Sequence, residues 1–177
     1  MASIDDFKAA LHGGGARANQ FRVTITAPIG IPGGIGLDVG RTSFMVKSSS
    51  LPAMTLGEIP ISFRGRQIFI AGDRTFADTW STTFINDTDF MIRNAMERWS
   101  NGINDLANNT GVVDPADYQT DLTVEQLDRD DRVLKSYIFR SAWPTSVGSI
   151  ALSYDTTDAI EEFEVTWRYQ HFEASSV

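Results

Sequence analysis

The segment from Leu51 to Ile103 decides the fold, and residues 58–71 of it read EIPISFRGRQIFIA. Apolar residues alternate with small or polar ones from Glu58 to Phe63, which is typical of a half-buried strand. Gly65 lets the chain turn without a steric penalty, and Gln67 to Ala71 then predicts a second strand, so the pair forms a hairpin. Three consecutive apolar residues make the second strand apolar on both faces. It therefore lies centrally in a sandwich or meets another subunit.

The same segment continues as DTWSTTFINDTDFMIRNAMERWSNGI over residues 78–103 and predicts a strand followed by a helix. The strand, Asp78 to Asn86, carries its large side chains on one face. Its opposite face is small and mostly polar, with Thr79, Ser81, Thr83 and Ile85. Side chains of residues 86–89 can cap a helix from about Asp89 to Asn101. The apolar residues recur at helical spacing, so the helix should dock on the sheet: Ile92, Ala95, Met96, Trp99 and Ile103.

Further strands are predicted on both sides of this segment. They are Asn19 to Thr26, Thr42 to Lys47, Asp121 to Leu127, Val133 to Arg140, Ile150 to Tyr154 and Ile160 to Tyr169, with Trp143-Pro144 as an interruption. Many short strands with one long helix indicate a mainly β fold. We predict an antiparallel β-sandwich or barrel with one docked α-helix and a short N-terminal helix, in a single domain over residues 1–177.

Three segments are predicted to lie outside the sheets. Residues 1–18 form an N-terminal arm, in which Ser3 caps a helix from Ile4 to Leu11 and a run of glycines forms a hinge. Such a helix cannot bury its apolar face alone, so it folds back on its own domain or reaches a neighbour. Residues 27–41 are rich in Gly and Pro and predict a flexible surface loop. Residues 104–121 predict a long surface loop.

The charge is unevenly distributed along the chain, whose net charge is −8. Residues 1–76 carry 8 basic and 5 acidic side chains, whereas residues 77–177 carry 7 basic and 18 acidic ones. One interpretation is a generic acidic surface. The other is head-to-tail complementarity between subunits, the kind of contact that builds rings and filaments. An acidic chain is in either case a poor ligand for duplex DNA.

The sequence offers no pattern for catalysis, and we predict neither an enzyme nor a cofactor. The absence of cysteine excludes thiolate chemistry, and only His12 and His171 could supply an imidazole. Gly34-Ile35-Gly36 lacks the third glycine of a dinucleotide site, and a strand rather than a helix is predicted after it. The acidic turn at residues 128–131 does not match the calcium-loop template. Neither a secretion signal nor a membrane span is expected.

Several blocks, occurring in order, resemble the tail tube protein of T4-like contractile-tailed bacteriophages, which belongs with the inner tubes of contractile injection systems. These blocks are Ala16 to Val23, Leu51 to Met54, Ile61 to Arg66, Trp80 to Asn86, Ala95 to Trp99 and Trp167 to Tyr169.

The resemblance implies a structural protein whose six copies close into a ring, with rings stacked into a hollow tube for genome ejection. Its implied partners are itself, the tail sheath, the baseplate and the tube terminator, while DNA passes through without specific binding and no membrane is involved. The implied location is the virion tail, assembled in the host cytoplasm. Two alternatives stay open: the inner tube of a type VI secretion or pyocin-like machine, and a monomeric β-sandwich binding module with Trp80, Trp143 and Trp167 as groove candidates.

Candidate assembly residues follow from these patterns and from the resemblance. The inter-subunit candidates are Ile4, Phe7, Leu11, Arg17, Arg64, Arg66, Ile68 and Ile70. The candidates for lining a wet lumen are Thr79, Ser81 and Thr83. An acidic wall repels phosphate, so DNA could slide without sticking.

Overall fold

The computed structural model describes residues 3–76 and 78–176, so Met1, Ala2, Ala77 and Val177, and the side chains of His12 and Ser176, lie outside the description. The first two positions of the predicted arm are therefore not covered. The helices are α1 (Ile4–Ala10), α2 (Val39–Phe44), α3 (Met91–Ile103) and α4 (Pro115–Tyr118). The strands are β1 (Phe21–Ile25), β2 (Val46–Ser49), β3 (Leu56–Phe63), β4 (Arg66–Arg74), β5 (Trp80–Ile85), β6 (Thr120–Leu127), β7 (Val133–Val147), β8 (Glu162–Arg168) and β9 (His171–Ser176).

The strands are antiparallel and form two sheets. The larger sheet has the order β1-β6-β7-β8-β5-β2, and β9 pairs with β7 beside it. The smaller sheet contains β3 and β4. The predicted mainly β, antiparallel fold is thereby confirmed. Over the described residues the sheets are open, so one chain does not form a closed barrel.

β7 is the strand that joins the two halves of the larger sheet. Its first part pairs with β6 and β9, and its last part, from Trp143, pairs with β8. The change of partner follows an extra residue near Ser141, whose φ is 54°. The backbone N–H of Ser141 donates to Asp121 Oδ1 at 3.0 Å. The prediction that Trp143-Pro144 interrupts the strand is wrong, because a bulge absorbs the bend and the strand continues.

The core lies between the two halves of the sheet and under α3. The Trp80 ring of β5 stacks on Phe139 of β7 with centroids 4.4 Å apart. Trp99 of α3 meets Trp167 of β8 at 5.4 Å. The Trp167 indole donates to Thr82 Oγ1 at 2.8 Å. The faces of β5 and α3 that the sequence predicts to be buried are the ones that pack here.

α3 begins two residues later than predicted. Phe90 precedes it with φ 53°, and the first helical N–H, that of Met91, donates to Asp89 Oδ1 at 3.0 Å. The N-cap residue is Phe90, which supplies no side-chain cap, and Asp89 accepts its bond from one position earlier.

The Gly/Pro-rich segment of residues 27–41 is not simply a surface loop. Ile31 and Ile35 are buried in the core despite their glycine-rich surroundings. The segment runs into α2, where a strand from Thr42 was predicted, and that strand prediction is wrong before Val46. The Asp38 side chain accepts from the Arg41 N–H and begins the helix.

Three other predictions need correction. Residues 104–121 are largely exposed but contain the short helix α4. Residues 148–161 contain no strand, so the predicted strand from Ile150 to Tyr154 is wrong. The sequence prediction also missed β9, which follows β8 after a short turn.

Gly30 is the point of closest approach between residues 27–41 and α4. Its N–H donates to the Asp117 carbonyl at 3.0 Å. A Cβ at this position would lie 2.2 Å from the Asp117 Cβ and 2.4 Å from its Cα. Only glycine fits here without moving backbone.

Arg140 of β7 connects three strands at the surface. Its guanidinium donates to Asp121 Oδ2 of β6 at 2.5 Å and to Glu173 Oε2 of β9 at 2.9 Å. The hydrogen bond from Arg140 lowers the pKa of Glu173 below its ordinary value of 4.5. A carboxylate with a lowered folded-state pKa stabilises the fold above its unfolded-state pKa and loses this contribution as pH falls through the folded-state value.

We expect Gly30→Ala to lower the free energy of unfolding by about 1–3 kcal/mol, because the added methyl group overlaps the Asp117 backbone. Gly40→Ala is the matched control, since its Cβ would lie 3.5 Å from Asp38 Oδ1 and α2 favours alanine. Urea unfolding of both variants measures the difference. Equal stability of the two variants would contradict the close approach.

We expect Glu173→Gln to be less stable than the wild type at pH 7, with a difference that shrinks as pH falls through the lowered folded-state pKa of Glu173. The ion pair with Arg140 exists only while the carboxylate is charged, so the difference must shrink as pH falls below 4.5. Urea unfolding across this pH range tests it. Asp130→Asn, in the exposed turn before β7, should give curves parallel to wild type across this range. A difference for Glu173→Gln that does not shrink as pH falls below 4.5 would rule out the ionic mechanism.

Candidate assembly surfaces

β3 and β4 form a hairpin that stands apart from the larger sheet. Phe63 pairs with Arg66, so the connection is the two residues Arg64 and Gly65. Their φ angles are 49° and 82°, as a tight two-residue turn between strands requires. The predicted hairpin and its turn are confirmed. The predicted half-burial of β3 is wrong, because the strand is exposed. Of the two alternatives for β4, the central sandwich position is wrong for the same reason, and contact with another subunit stays a prediction.

One side of this hairpin is almost entirely apolar, and we call it the hairpin face. It comprises Ile59, Ile61, Phe63, Ile68 and Ile70. These side chains are between 44% and 58% exposed. A two-stranded hairpin is marginally stable in water by itself. A contiguous apolar patch of this kind marks an interaction surface.

The N-terminal helix α1 presents a second uncovered apolar surface. Ser3 and Asp6 form a reciprocal capping box, and the hydrogen bonds from Ser3 lower the pKa of Asp6. α1 buries none of its described side chains: Ile4 is 74% exposed and Phe7 67%. Leu11 at its end is also exposed. The helix therefore forms as predicted, and its apolar side chains are exposed within this chain.

The glycines after α1 have positive φ and set the direction of the arm. Beyond them Arg17 is exposed, and its carbonyl accepts a hydrogen bond from Gln126 at 2.8 Å. The arm is thus attached to β6 at Arg17 while α1 stays uncovered.

The small polar face of β5 points away from the core. Ser81 and Thr83 are half-buried there, beside Thr166 and Glu164 of β8. Thr79 is exposed and lies just before the strand. This surface is polar and holds exposed carboxylates.

A pocket of about 220 Å³ lies at the C-terminal end of β5, beyond Ile85, and we call it the distal pocket. It is lined by Asn86, Asp87, Thr88, Phe90, Ile160 and Glu161. Arg41 of α2 donates to both Asp87 and Asp89, and its hydrogen bond lowers the pKa of Asp87. The loop between β5 and α3 is thereby fixed to α2.

The predicted assembly residues fall on three surfaces. The hairpin carries Arg64, Arg66, Ile68 and Ile70, and the arm carries Ile4, Phe7, Leu11 and Arg17. The lumen candidates lie on or next to β5. Trp80 and Trp167 are buried in the core, so they cannot line a groove, and Trp143 packs against Tyr118 at 6.2 Å.

The sequence prediction missed the distal pocket. Asn86 was assigned only a capping role, and Glu161 lies 75 residues further along the chain. Only the pairing of β5 with β8 brings these two residues together, and no local pattern reports it.

Within residues 3–76 and 78–176, no group of three or more acidic, histidine or cysteine side chains is placed to hold a metal ion. The described helices include none that is long and apolar enough to cross a membrane.

Solved structures with the same fold include an anti-feeding prophage cap and an extracellular contractile injection system. A chain of the anti-feeding prophage cap matches with a TM-score of 0.65 over 92% of both chains, at 18% identity. A chain of the PVC extracellular contractile injection system, from its extended sheath–tube complex, matches with a TM-score of 0.60 over 100% of both chains, at 14% identity. At such identities the likeness concerns the fold.

Comparison of the amino-acid sequence with known proteins shows the family of this chain. Residues 16–175 match the family described as phage tail tube protein. The tail tube protein gp19 of Enterobacteria phage T4 is 33% identical over 173 residues, which cover 96% of this chain and 99% of that protein. The tail tube protein of Serratia phage KSP90 is 32% identical over 174 residues, covering 96% and 95%. The predicted resemblance is confirmed, and this chain belongs to the phage tail tube protein family.

Proposed function

We propose that this chain is the structural subunit of the inner tube of a contractile phage tail, where it forms stacked hexameric rings that conduct the genome. The observation that carries this proposal is the hairpin face, an apolar surface uncovered in the described chain of a tail tube family member. Covering such a face in an assembly stabilises the bound state by roughly 25 cal/mol per Å² of apolar surface removed from water.

Ring closure also solves the problem of the open sheet. β1 and β2 lie at the two ends of its strand order, and each has one edge without a strand partner among the described residues. Exposed edges are a risk for aggregation, and closing sheets across subunits into one barrel removes them. The larger sheet of one chain would then be one segment of a continuous wall.

The proposed lumen wall includes Thr79, Ser81 and Thr83. The neighbouring Glu164 is exposed, and each chain has a net charge of −8. Acidic side chains repel DNA phosphates, and the small neutral Ser and Thr side chains offer them no cationic partner. DNA would therefore pass without specific binding. The role is structural rather than enzymatic and needs no cofactor or membrane.

The proposed partners are other copies of this chain, the tail sheath, the baseplate and the tube terminator, with assembly in the host cytoplasm and a final place in the virion tail. The two solved neighbours come from a sheath–tube complex and a tube-terminating cap, which supports this setting. Curated relatives that are phage proteins at 32% and 33% identity favour a phage tail over a secretion or pyocin-like tube. Burial of Trp80 and Trp167 argues against the monomeric binding module.

Concentrated wild-type protein should form hollow rings or tubes in negative-stain electron microscopy. The double variant Ile61→Ser/Ile68→Ser should lose them, because it makes the hairpin face polar. Its thermal unfolding should stay close to wild type, since neither side chain contributes to the core. The control Leu106→Ser/Val113→Ser changes two residues that are 95% and 91% exposed outside the hairpin, and it should assemble normally. Normal tubes from the hairpin variant would contradict the proposed role of the hairpin face.

Deletion of residues 1–15 should shorten or abolish tubes without unfolding the domain, because α1 buries no described side chain in its own chain. Light scattering and microscopy of the same sample measure assembly, and circular dichroism measures folding. Normal tubes from the truncated subunit would show that the arm is not an assembly contact.

A further inference from the structure

The distal pocket holds an acceptor that its own chain leaves unpaired. Asn86 is 8% exposed, and its Oδ1 has no hydrogen-bond partner among the described residues. The amide orientation is fixed, since Nδ2 donates to Glu161 Oε2 at 2.8 Å and a carboxylate can only accept. A buried acceptor without a donor costs about 1–3 kcal/mol. Because Oδ1 itself exposes less than 1 Å², a donor from outside would pair with the neighbouring Glu161 carboxylate.

The chemistry of the pocket selects a cationic donor. The Glu161 carboxylate is half-buried, accepts from Asn86 Nδ2 through Oε2, and keeps further lone pairs for an incoming guanidinium. Asp87 is already used, because it accepts from Arg41 and from the Thr88 N–H. Phe90 and Ile160 line the pocket and are 40% and 71% exposed, which suits a donor that arrives on an apolar surface.

The hairpin and the distal pocket lie at opposite ends of β5. The chain leaves β2 at Ser49, which pairs with Thr82, and the Trp80 indole donates to the Ser50 carbonyl at 2.9 Å, so the hairpin emerges at the start of β5. The pocket begins after Ile85 at the other end. Six residues of strand separate these ends by about 20 Å. Both described hairpin strands are exposed within this chain, so a contact between the hairpin and the pocket joins two subunits.

Arg66 is the hairpin residue that fits the pocket. It pairs with Phe63 at the end of the hairpin face, on the same side of the ribbon as the isoleucines. Its guanidinium makes no ion pair within the described residues. The neighbouring Arg64 instead lies over the Phe63 ring at 5.3 Å.

We propose that Arg66 of one subunit enters the distal pocket of a second copy in the next ring, donating to the Glu161 carboxylate beside Asn86. The hairpin face covers Phe90 and Ile160 of that copy. This inference rests on the proposed function, because it assigns one stacking contact of the proposed tube. The contact is heterologous, so it repeats from ring to ring without closing.

A charge exchange tests the contact in the full-length protein. Arg66→Glu and Glu161→Lys should each give rings but about tenfold fewer or shorter tubes, since each variant leaves a like-charged or unpaired group at the interface. The double variant Arg66→Glu/Glu161→Lys should recover tubes. The matched control is Arg64→Glu/Glu161→Lys, which makes the same charge changes two residues away and should not recover them.

Cysteine pairs provide a second measurement that does not depend on charge. The natural chain contains no cysteine, so an oxidised Arg66→Cys/Glu161→Cys variant can form disulfides only between the introduced thiols. Under oxidation during assembly it should give a ladder of covalent multimers, whereas Arg132→Cys/Glu161→Cys should give none beyond random dimers.

The outcomes separate this contact from the proposed function. Wild-type protein that forms neither rings nor tubes would overturn the proposed function and this contact with it. Wild-type tubes combined with unaffected Arg66→Glu tubes, or with no covalent ladder in tubes of the cysteine pair, would overturn the contact alone. Recovery in the double variant, together with the ladder, supports it.

Discussion

The contact between Trp80 of β5 and Phe139 of β7 is the interaction on which the rest of the structure depends. This contact joins the two halves of the larger sheet, which share only β7. The centroids of the two aromatic rings lie 4.4 Å apart. Aromatic pairs of this size contribute through burial and through their stacked geometry. Because the stack fixes the start of β5, it also fixes the base of the hairpin, and the Trp80 indole bond to Ser50 attaches that base directly.

Because its base is fixed, the exposed hairpin can present its apolar face to another subunit in a defined position. The chain buries its large aromatic residues in one core but leaves five apolar side chains of the hairpin face in solvent. A monomer gains nothing from that arrangement, since exposed β-ribbons with apolar faces promote aggregation. An assembling subunit does gain, because the same surface supplies the free energy of association once it meets a complementary copy. The exposed apolar side chains of α1 would supply free energy of association in the same way.

The sequence predicted those parts of the fold whose pattern is local. Alternation identified β1, β5, β6 and β8, and helical spacing identified α3, because burial on one face leaves a periodic trace. β7 was predicted too short, since no local pattern marks the bulge at Ser141. Ile31 and Ile35 were hidden by their glycine-rich surroundings. The hairpin candidates could be found because their apolar residues are consecutive in the sequence. The pairing of Asn86 with Glu161 could not, because it depends on strand register across 75 residues.

Phe90 adds a last step to the argument for an interface at the distal pocket. A non-glycine residue in the left-handed region costs of order 1–3 kcal/mol, and Phe90 adopts it with φ 53°. Its N–H bond to the Asp87 carbonyl at 2.9 Å helps to hold this conformation, yet the ring stays 40% exposed. Within one chain the strained conformation buries Phe90 only in part. In the proposed tube the same conformation sets an aromatic ring at the edge of a pocket with an unpaired acceptor, so the cost of the strained backbone is offset when the neighbouring hairpin covers both.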